Sequence, residues 1–155
     1  MIIITDSREQ LPYNFQGYDV QVVRAGLPAG DYSIPGAESL VAIERKELND
    51  LIGCLMGKQR DRFTRELARL RPYHLAAVVV ESTLEDVARG RYVSKMSPQA
   101  ALQSIIAMQV RYGVPFMFCG DRKGAQYVTH AMLQKYQREV CKQYEAMKKC
   151  LAAGK

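Results

Sequence analysis

The stretch "SLVAIERKELNDL", from Ser39 to Leu51, begins as a buried strand and ends in a cluster of charged side chains. Side chains alternate across a β-strand with period two, so Glu44 and Lys46 are predicted on one face and Arg45 on the other. Glu44 and Lys46 are therefore expected to be neighbours in space. A strand that simply reaches solvent would also carry mixed charges, and these residues alone leave that alternative open.

A second carboxylate is expected to reach this pair from the preceding strand. "GLPAGDYSIPG" predicts a turn region around a short strand that begins near Asp31, and the next strand, "LVAIER", follows closely enough to form a hairpin with it. Two carboxylates held close together repel each other unless a proton or a cation lies between them, and a hard divalent cation such as Mg²⁺ prefers oxygen ligands. Asp6, at the end of the predicted first strand "MIIIT", is a candidate third carboxylate. The pattern acid-x(12)-Glu-x-Lys therefore indicates metal-dependent phosphodiester hydrolysis, in which Lys46 orients and activates the attacking water.

Three motifs around these residues resemble the XPF family of structure-specific DNA endonucleases. "DSRE" at 6–9, "GDY" at 30–32 and "ERKELND" at 44–50 occur in the order and spacing of the family pattern D-x-R-E, G-D-Y and E-R-K-x-x-x-D. The resemblance continues through "LIGCLMGKQRDRFTREL" and "AAVVVE" and, more faintly, to the final helix. It implies an α/β fold with a restriction-endonuclease-like core, in which helices flank a mixed central sheet.

The resemblance also implies roles for individual residues. Asp31 and Glu44 would ligate Mg²⁺ or Mn²⁺ together with the backbone carbonyl of Arg45, and Lys46 would be the catalytic lysine. Supporting roles are implied for Asp6, Arg8, Glu9 and Asp50.

The sequence departs from many members of that family in one respect. Eukaryotic and archaeal members usually append a tandem helix-hairpin-helix domain that binds duplex DNA near branch points, and no such segment is found up to Lys155. We therefore expect one nuclease domain over residues 1–155, a bacterial or phage source, and a weaker preference for branched or flapped DNA than in those relatives.

Composition and charge narrow the class of protein further. The chain has 155 residues, of which 48% are hydrophobic and 25% charged, which is typical of one folded domain. "LAAVVV" is too short to span a bilayer and "MIIIT" lacks the basic start of a secretory signal, so a cytoplasmic protein without a membrane partner is expected. The four cysteines are spaced too widely for a zinc or redox motif.

The positive charge favours a polyanionic partner, with nucleic acid first. The formal net charge is +6, and the segment "KQRDRFTRELARLR" at 58–71 carries six positive and two negative side chains. Contacts to DNA phosphates are predicted for Lys58, Arg60, Arg62 and Arg65. A merely solvated helix face is the alternative.

The remaining sequence predicts strands that come first and then alternate with helices, which indicates an α/β domain with a mixed sheet. "DVQVVRA" is expected to be half-buried, "HLAAVVVES" a central strand, and "VPFMFCG" a short buried strand. Apolar residues at helical spacing over 47–70 predict one long helix, or two joined near Gly57.

Helix ends can also be predicted from capping residues. Ser82 and Glu85 have the form of a capping box, while Ser97 and Pro98 begin a helix that Gly113 ends. The final helix is expected over 125–151, with an apolar stripe at Val128, Met132, Tyr136, Val140, Tyr144, Met147 and Leu151. This stripe would serve equally well to pack on the chain's own sheet or to form a homodimer, and the family's habit of pairing favours the homodimer.

Three functions remain open on the sequence. The first is a Mg²⁺- or Mn²⁺-dependent DNA endonuclease, the second is a non-catalytic DNA-binding subunit with the same fold, and the third is a nuclease that acts on RNA. The presence of Asp31, Glu44 and Lys46 together favours an active enzyme. Nothing in a metal–carboxylate centre reads the 2′-hydroxyl of RNA.

Overall fold

A mixed six-stranded sheet forms the centre of the structure, a computed structural model that describes residues 1–153. The strands are β1 (Ile2–Asp6), β2 (Gln21–Ala25), β3 (Tyr32–Ser33), β4 (Val41–Lys46), β5 (Leu75–Val80) and β6 (Phe116–Phe118). Their spatial order is β2-β1-β3-β4-β5-β6. β3 pairs antiparallel with β1 and β4, and the other neighbours pair in parallel. The predicted mixed sheet and the β3–β4 hairpin are confirmed.

Helices cover both faces of this sheet and bury two apolar cores. They are α1 (Leu48–Gly53), α2 (Gly57–Leu70), α3 (Leu84–Ala88), α4 (Pro98–Tyr112) and α5 (Arg122–Ala153). Ala42 of β4 joins the core under α1, α2 and α4, whereas the adjacent Ile43 joins the core under α5. The alternation of side chains along β4 therefore decides which core each residue enters.

The helical pattern after β4 is divided into two helices, the second of the predicted alternatives. α1 ends at Gly53, and α2 begins at Gly57, whose φ of +55° lies in the left-handed region that favours glycine. The break lets α2 run in its own direction, with Phe63, Leu67 and Leu70 buried against the sheet.

One of the two predicted capping patterns is wrong by one residue. α4 begins after Ser97 and ends at Gly113 as predicted. α3 is capped by Thr83 and Asp86, however, and not by Ser82 and Glu85. Ser82 is buried in the segment between β5 and α3, and its hydroxyl donates to Asp86 Oδ2 at 2.9 Å.

The outer strands are more exposed than the sequence predicted. Every residue of β2 is exposed, although the segment was expected to be half-buried, and β6 is half-buried to exposed instead of buried. Both strands lie at edges of the sheet, where no further strand covers their outer side. Their apolar composition reflects β-propensity more than burial.

The final helix is longer than predicted and only its first half packs on the sheet. α5 begins at Arg122 and runs to Ala153, and it buries Ala125, Thr129, Leu133 and Tyr136. The later members of the predicted apolar stripe, Val140, Tyr144, Met147 and Leu151, are exposed. The stripe therefore packs on the chain's own sheet only in part.

No helix in the described part of the chain combines the length and the apolar character that crossing a membrane requires.

Candidate active site

The end of β4 places an acidic and a basic side chain next to each other, as the strand period predicted. Lys46 Nζ donates to Glu44 Oε1 at 2.5 Å. Glu44 is buried, and the Lys46 ammonium also lies 5.2 Å from the centre of the Phe63 ring on α2. The pair is thus fixed between the sheet and the helix that follows it.

Asp31 joins this pair because Gly30 lets β3 approach β4 closely. Gly30 has a φ of +73°, and a Cβ there would lie 2.9 Å from Ala42 Cβ, so the backbone approach requires glycine. The Asp31 N–H donates to Ile43 O at 2.9 Å, and Asp31 Oδ2 accepts the Arg45 N–H at 2.7 Å. The Asp31 carboxylate therefore lies beside the C-terminal end of β4, where β4 extends beyond the short strand β3.

Burial disfavours ionisation of both carboxyl groups, and repulsion by Glu44 adds to this effect at Asp31. Burial, and next the charge of Glu44, raise the pKa of Asp31, while burial raises the pKa of Glu44. Burial also disfavours the charged form of Lys46, but Glu44 outweighs this effect and raises the pKa of the ammonium. Lys46 is therefore protonated at neutral pH, and one ammonium faces two carboxyl groups.

This donor set fits a hard divalent cation, which would relieve the repulsion between the two buried carboxyl groups. Within residues 1–153, no three His, Cys, Asp or Glu side chains are grouped so as to hold a metal. The oxygen atoms that could bind such an ion are those of the Asp31 and Glu44 carboxyl groups and the backbone carbonyl of Arg45, and this ligand set stays a prediction. The Arg45 N–H points toward Asp31, and in a strand the N–H and C=O of one residue point to the same side.

Asp6 stabilises the wall of the cleft, because both of its carboxylate oxygens accept hydrogen bonds. Oδ1 accepts the backbone N–H and the Nε–H of Arg8 at 2.7 and 2.9 Å. Oδ2 accepts Arg8 Nη2–H at 2.7 Å and the Leu27 N–H at 2.9 Å. The side-chain bond to Arg8 is the main reason that the pKa of Asp6 falls to about 2. The structure brings Asp6 and Arg8 to the site, and a role for Asp6 as a metal ligand stays a prediction.

The other predicted supporting residues lie around the same opening. Asp50 lines it from α1, and Glu9 lines it from the loop after β1. The Arg45 side chain points away from Glu44 and Lys46 and lies buried between Glu9 and Glu81.

An open cleft of about 580 Å³ gives solvent access to these side chains. Asp31, Glu44 and Lys46 lie on its wall. The α2 wall consists of Gln59, Arg62, Phe63, Glu66 and Arg69. Carboxylates and cations therefore share one opening, which suits a phosphate-containing substrate.

Four of the five cationic residues of α2 form one stripe, which contains three of the four residues predicted to contact DNA phosphates. Lys58, Arg62, Arg65 and Arg69 recur at intervals of four, three and four residues and so share one side of the helix. Arg60 lies on another side of α2 and donates to Leu55 O at 2.9 Å. A contact from Arg60 to DNA phosphates stays a prediction. Arg69 was not predicted, although its spacing from Arg62 and Arg65 could have revealed it.

Glu66 is a second residue that sequence reasoning missed. Its Oε1 accepts the Gly30 N–H at 2.9 Å, and its other oxygen pairs with Arg69. Glu66 thus links the cationic side of α2 to the backbone immediately before Asp31. The contact joins residues far apart in sequence, so no local pattern signals it.

Comparisons with known proteins agree with this geometry. A family model described as the ERCC4 domain matches residues 5–132. The 3′-flap repair endonuclease Xpf of Saccharolobus solfataricus is 27% identical over 139 residues, which are 87% of this chain and 55% of that protein. The chain therefore spans about half the length of this curated relative.

Solved structures show the same fold. XPF from Aeropyrum pernix matches with a TM-score of 0.68 at 24% identity, over 94% of this chain and 69% of that one. A structure of XPF from Aeropyrum pernix in complex with DNA matches with a TM-score of 0.65 at 24% identity, over 89% and 66% of the two chains. The restriction-endonuclease-like core predicted from the sequence is confirmed.

Asp6→Asn should destabilise the protein in a pH-dependent way. The pKa of Asp6 in the folded state is about 2 and lies below its ordinary value of 3.8. The ionised carboxylate therefore contributes stability that is fully present above about pH 4 and lost as the pH falls toward 2. Because Arg8 is largely exposed and water screens its share, we expect a loss of about 1–2 kcal/mol at pH 7.

Urea unfolding of the parent and the variant between pH 7 and pH 2 measures this effect. The difference between the two proteins should shrink as the pH falls. Asp61→Asn, at an exposed position on α2, is the matched control and should change little. A constant difference for Asp6→Asn across the pH range would contradict the prediction.

Proposed function

This chain belongs to the ERCC4 domain family, and from that premise we propose that it is a divalent-metal-dependent endonuclease that cleaves branched or flapped DNA. The observation that carries the proposal is the grouping of Asp31, Glu44 and Lys46 at one cleft beside the cationic side of α2. The relative from Saccharolobus solfataricus, named as a 3′-flap repair endonuclease, supports the substrate class. The likeness to an XPF structure in complex with DNA supports DNA as the partner.

Asp31 and Glu44 would hold Mg²⁺ or Mn²⁺ through their carboxylates, with the backbone carbonyl of Arg45 as a further donor. When bound, such an ion supplies a Lewis acid and lowers the pKa of its water, which makes that water a nucleophile at neutral pH. Gly30 and the Arg45 N–H keep the Asp31 side chain in position, so its carboxyl group already lies at the cleft before an ion binds.

Lys46 would act as the electrostatic partner of the reacting phosphate. Its ammonium is protonated, partly buried and fixed over the Phe63 ring. A fixed positive charge in a site that excludes most water stabilises negative charge that develops on the phosphate oxygens. Its hydrogen-bond donors can also orient the attacking water, because an ammonium carries three of them.

The stripe of Lys58, Arg62, Arg65 and Arg69 would hold the DNA backbone along α2. Arg62 and Arg69 line the cleft itself, so a phosphate bound there lies next to Lys46. Contacts of this kind position a nucleic acid without reading its sequence. Selection would then depend on DNA shape, with flaps and forks cut in preference to intact duplex.

We further propose that two copies of the chain associate through the far half of α5. Val140, Tyr144, Met147 and Leu151 form an apolar row on a helix that extends beyond the sheet. Tyr144 and Leu151 are 56% and 73% exposed, so this row has no cover within the described part of the chain. A second copy would bury it by self-complementary packing about a twofold axis.

Lys46→Ala should reduce cleavage of flapped DNA by about 10²-fold or more, because its charge acts mainly in the transition state. Glu44 can protonate when its partner is lost, so the loss of stability should be modest. Asp31→Asn should lower the rate similarly and also weaken Mn²⁺ binding. The measurements are single-turnover cleavage of labelled flap, fork, duplex and single-stranded DNA and RNA, with thermal melting and Mn²⁺ calorimetry.

Lys123→Ala, at an exposed position on α5, is the control and should retain the parent rate. A Lys46→Ala variant that cleaves at more than about a tenth of the parent rate would contradict the proposed role of Lys46. Inactivity of the parent on all substrates, with DNA binding retained, would instead identify a non-catalytic subunit. Cleavage of RNA in preference to DNA would support the RNA nuclease.

Replacing Arg62 and Arg65 together with Ala should weaken binding to all DNA sequences alike. Each phosphate contact contributes a slope of about −0.9 in log K against log salt on duplex and about −0.7 on single strands, so the slope should flatten by about one to two contacts. The double variant Arg111→Ala with Lys123→Ala removes the same charge elsewhere and should keep the slope. Fluorescence anisotropy between low and high salt gives both slopes, and an unchanged slope in the first variant would make the basic side of α2 a solvated face.

Light scattering at micromolar concentration should show twice the chain mass of 17.5 kDa. Met147→Asp should halve the measured mass, because it places a charge in the apolar row without disturbing either core. Lys149→Gln lowers the charge by the same amount on the opposite side of α5 and should remain a dimer. A parent that scatters as a single chain would contradict the proposed association.

A further inference from the structure

Four charged residues of alternating sign form a chain of ion pairs that runs from Glu9, on the wall of the cleft, to Arg122 at the start of α5. Glu9 faces the Arg45 guanidinium at 3.4 Å, Arg45 Nη1 pairs with Glu81 Oε1 at 3.1 Å, and Arg122 Nη1 pairs with the same oxygen at 2.9 Å. The side chains of Glu9, Arg45 and Glu81 are 7–8% exposed, and that of Arg122 is 45% exposed. We refer to these four residues as the ion-pair chain.

Arg122 uses its second nitrogen to hold the loop that carries Glu9. Nη2 donates to Leu11 O at 2.8 Å and to Pro12 O at 2.9 Å. The guanidinium also lies 4.9 Å from the centre of the Tyr13 ring. The first residue of α5 therefore fixes three consecutive residues of this loop.

This loop is in turn connected to the strand that carries Asp31. The Tyr13 N–H donates to Tyr32 Oη at 2.8 Å, and the two rings stack with centres 5.0 Å apart. Tyr32 is the first residue of β3, and Asp31 directly precedes it. Arg122 thus reaches the cleft by two routes, one through Tyr13 and Tyr32 to β3 and one through Glu81 and Arg45 to β4.

The charges of the ion-pair chain balance only when Arg122 is present. Glu9, Arg45 and Glu81 together carry a net charge of −1, and Arg122 brings the sum to zero. Without Arg122, the side chains of Glu9, Arg45 and Glu81 would leave a net negative charge at a largely buried position beside Asp31. Of the two arginines, Glu81 would then pair with Arg45 alone. This pairing would compete with the contact between Arg45 and Glu9.

We propose that Arg122 and Glu81 are positioning residues of the active site. They act through Arg45 and the loop at 9–13 to fix the backbone around Asp31, and they make no contact with the reacting phosphate. The inference rests on the proposed nuclease function. It adds to the site a residue of α5 that lies more than seventy positions from Lys46 in sequence.

Arg122→Ala tests the proposal against the control Lys123→Ala, its exposed neighbour on the same helix. Loss of a residue that supports metal ligands typically lowers metal affinity or activity by about 10- to 100-fold. We expect a loss of that size in kcat and weaker Mn²⁺ binding by calorimetry without DNA, while KM for flap DNA stays within about twofold. The control should match the parent in all three measurements.

Arg122→Lys separates positioning from simple charge balance. Lysine restores the positive charge but lacks the fork that contacts Glu81 and the two carbonyls at once, so it should recover the parent melting temperature and leave kcat reduced. Glu81→Gln retains the shape and an acceptor oxygen but removes the charge, and it should also lower kcat. If Arg122→Ala yields no folded protein, these two variants decide by the same criteria.

Parent-like kcat and Mn²⁺ affinity in the folded variants would overturn the proposal. A loss confined to KM would also overturn it, because Arg122 would then contact DNA. Failure of the proposed nuclease function is distinguished by Lys46→Ala, which tests the reacting centre directly. An active parent and an inactive Lys46→Ala variant, together with parent-like Arg122 and Glu81 variants, would reject the positioning role alone.

Discussion

Arg45 holds both sides of the active site, and the placement of the other groups depends on it. Its backbone N–H holds the Asp31 carboxylate, while its guanidinium lies on the opposite face between Glu9 and Glu81. This division follows from the period-two alternation of β4, which directs Glu44 and Lys46 toward the cleft. A slip of one residue in the pairing of β4 with β5 would exchange the two faces and bring Arg45 into the cleft. The register of one strand thus determines which side chains face the cleft and which lie on the opposite face of the sheet.

The sequence predicted those features of the site that depend on neighbouring residues in the chain. The alternation in "VAIERK" predicted the contact between Glu44 and Lys46, and the closely spaced strands predicted the hairpin that brings Asp31 to them. The exposure of β2 and β6 could not be predicted, because it depends on which strands lie at the sheet edges. Glu66 contacts Gly30 across a long sequence separation, and Arg60 donates to Leu55 O, a contact that the charge pattern alone does not predict. Local periodicity therefore predicts most of the strands and helices, whereas contacts between elements that are distant in sequence can be identified only from the structure.

The burial of Asp31 and Glu44 is unfavourable for stability and supports the functional assignment. Buried carboxyl groups lose hydration, and a well-packed apolar pair of similar volume is often at least as stable as buried charges. Here two such groups lie between two apolar cores, at the wall of an open cleft. Groups held in this way, with pKa values raised by burial, are a common mark of reaction centres.

The length of α5 connects two distant regions of the molecule through one continuous helix. Its first residue, Arg122, touches the loop beside the cleft, and its buried contacts end at Tyr136. The rest of the helix, to Ala153, extends about 25 Å farther at 1.5 Å per residue. A partner bound at the exposed end of α5 would therefore contact the same unbroken helix whose first residue contacts the loop beside the cleft.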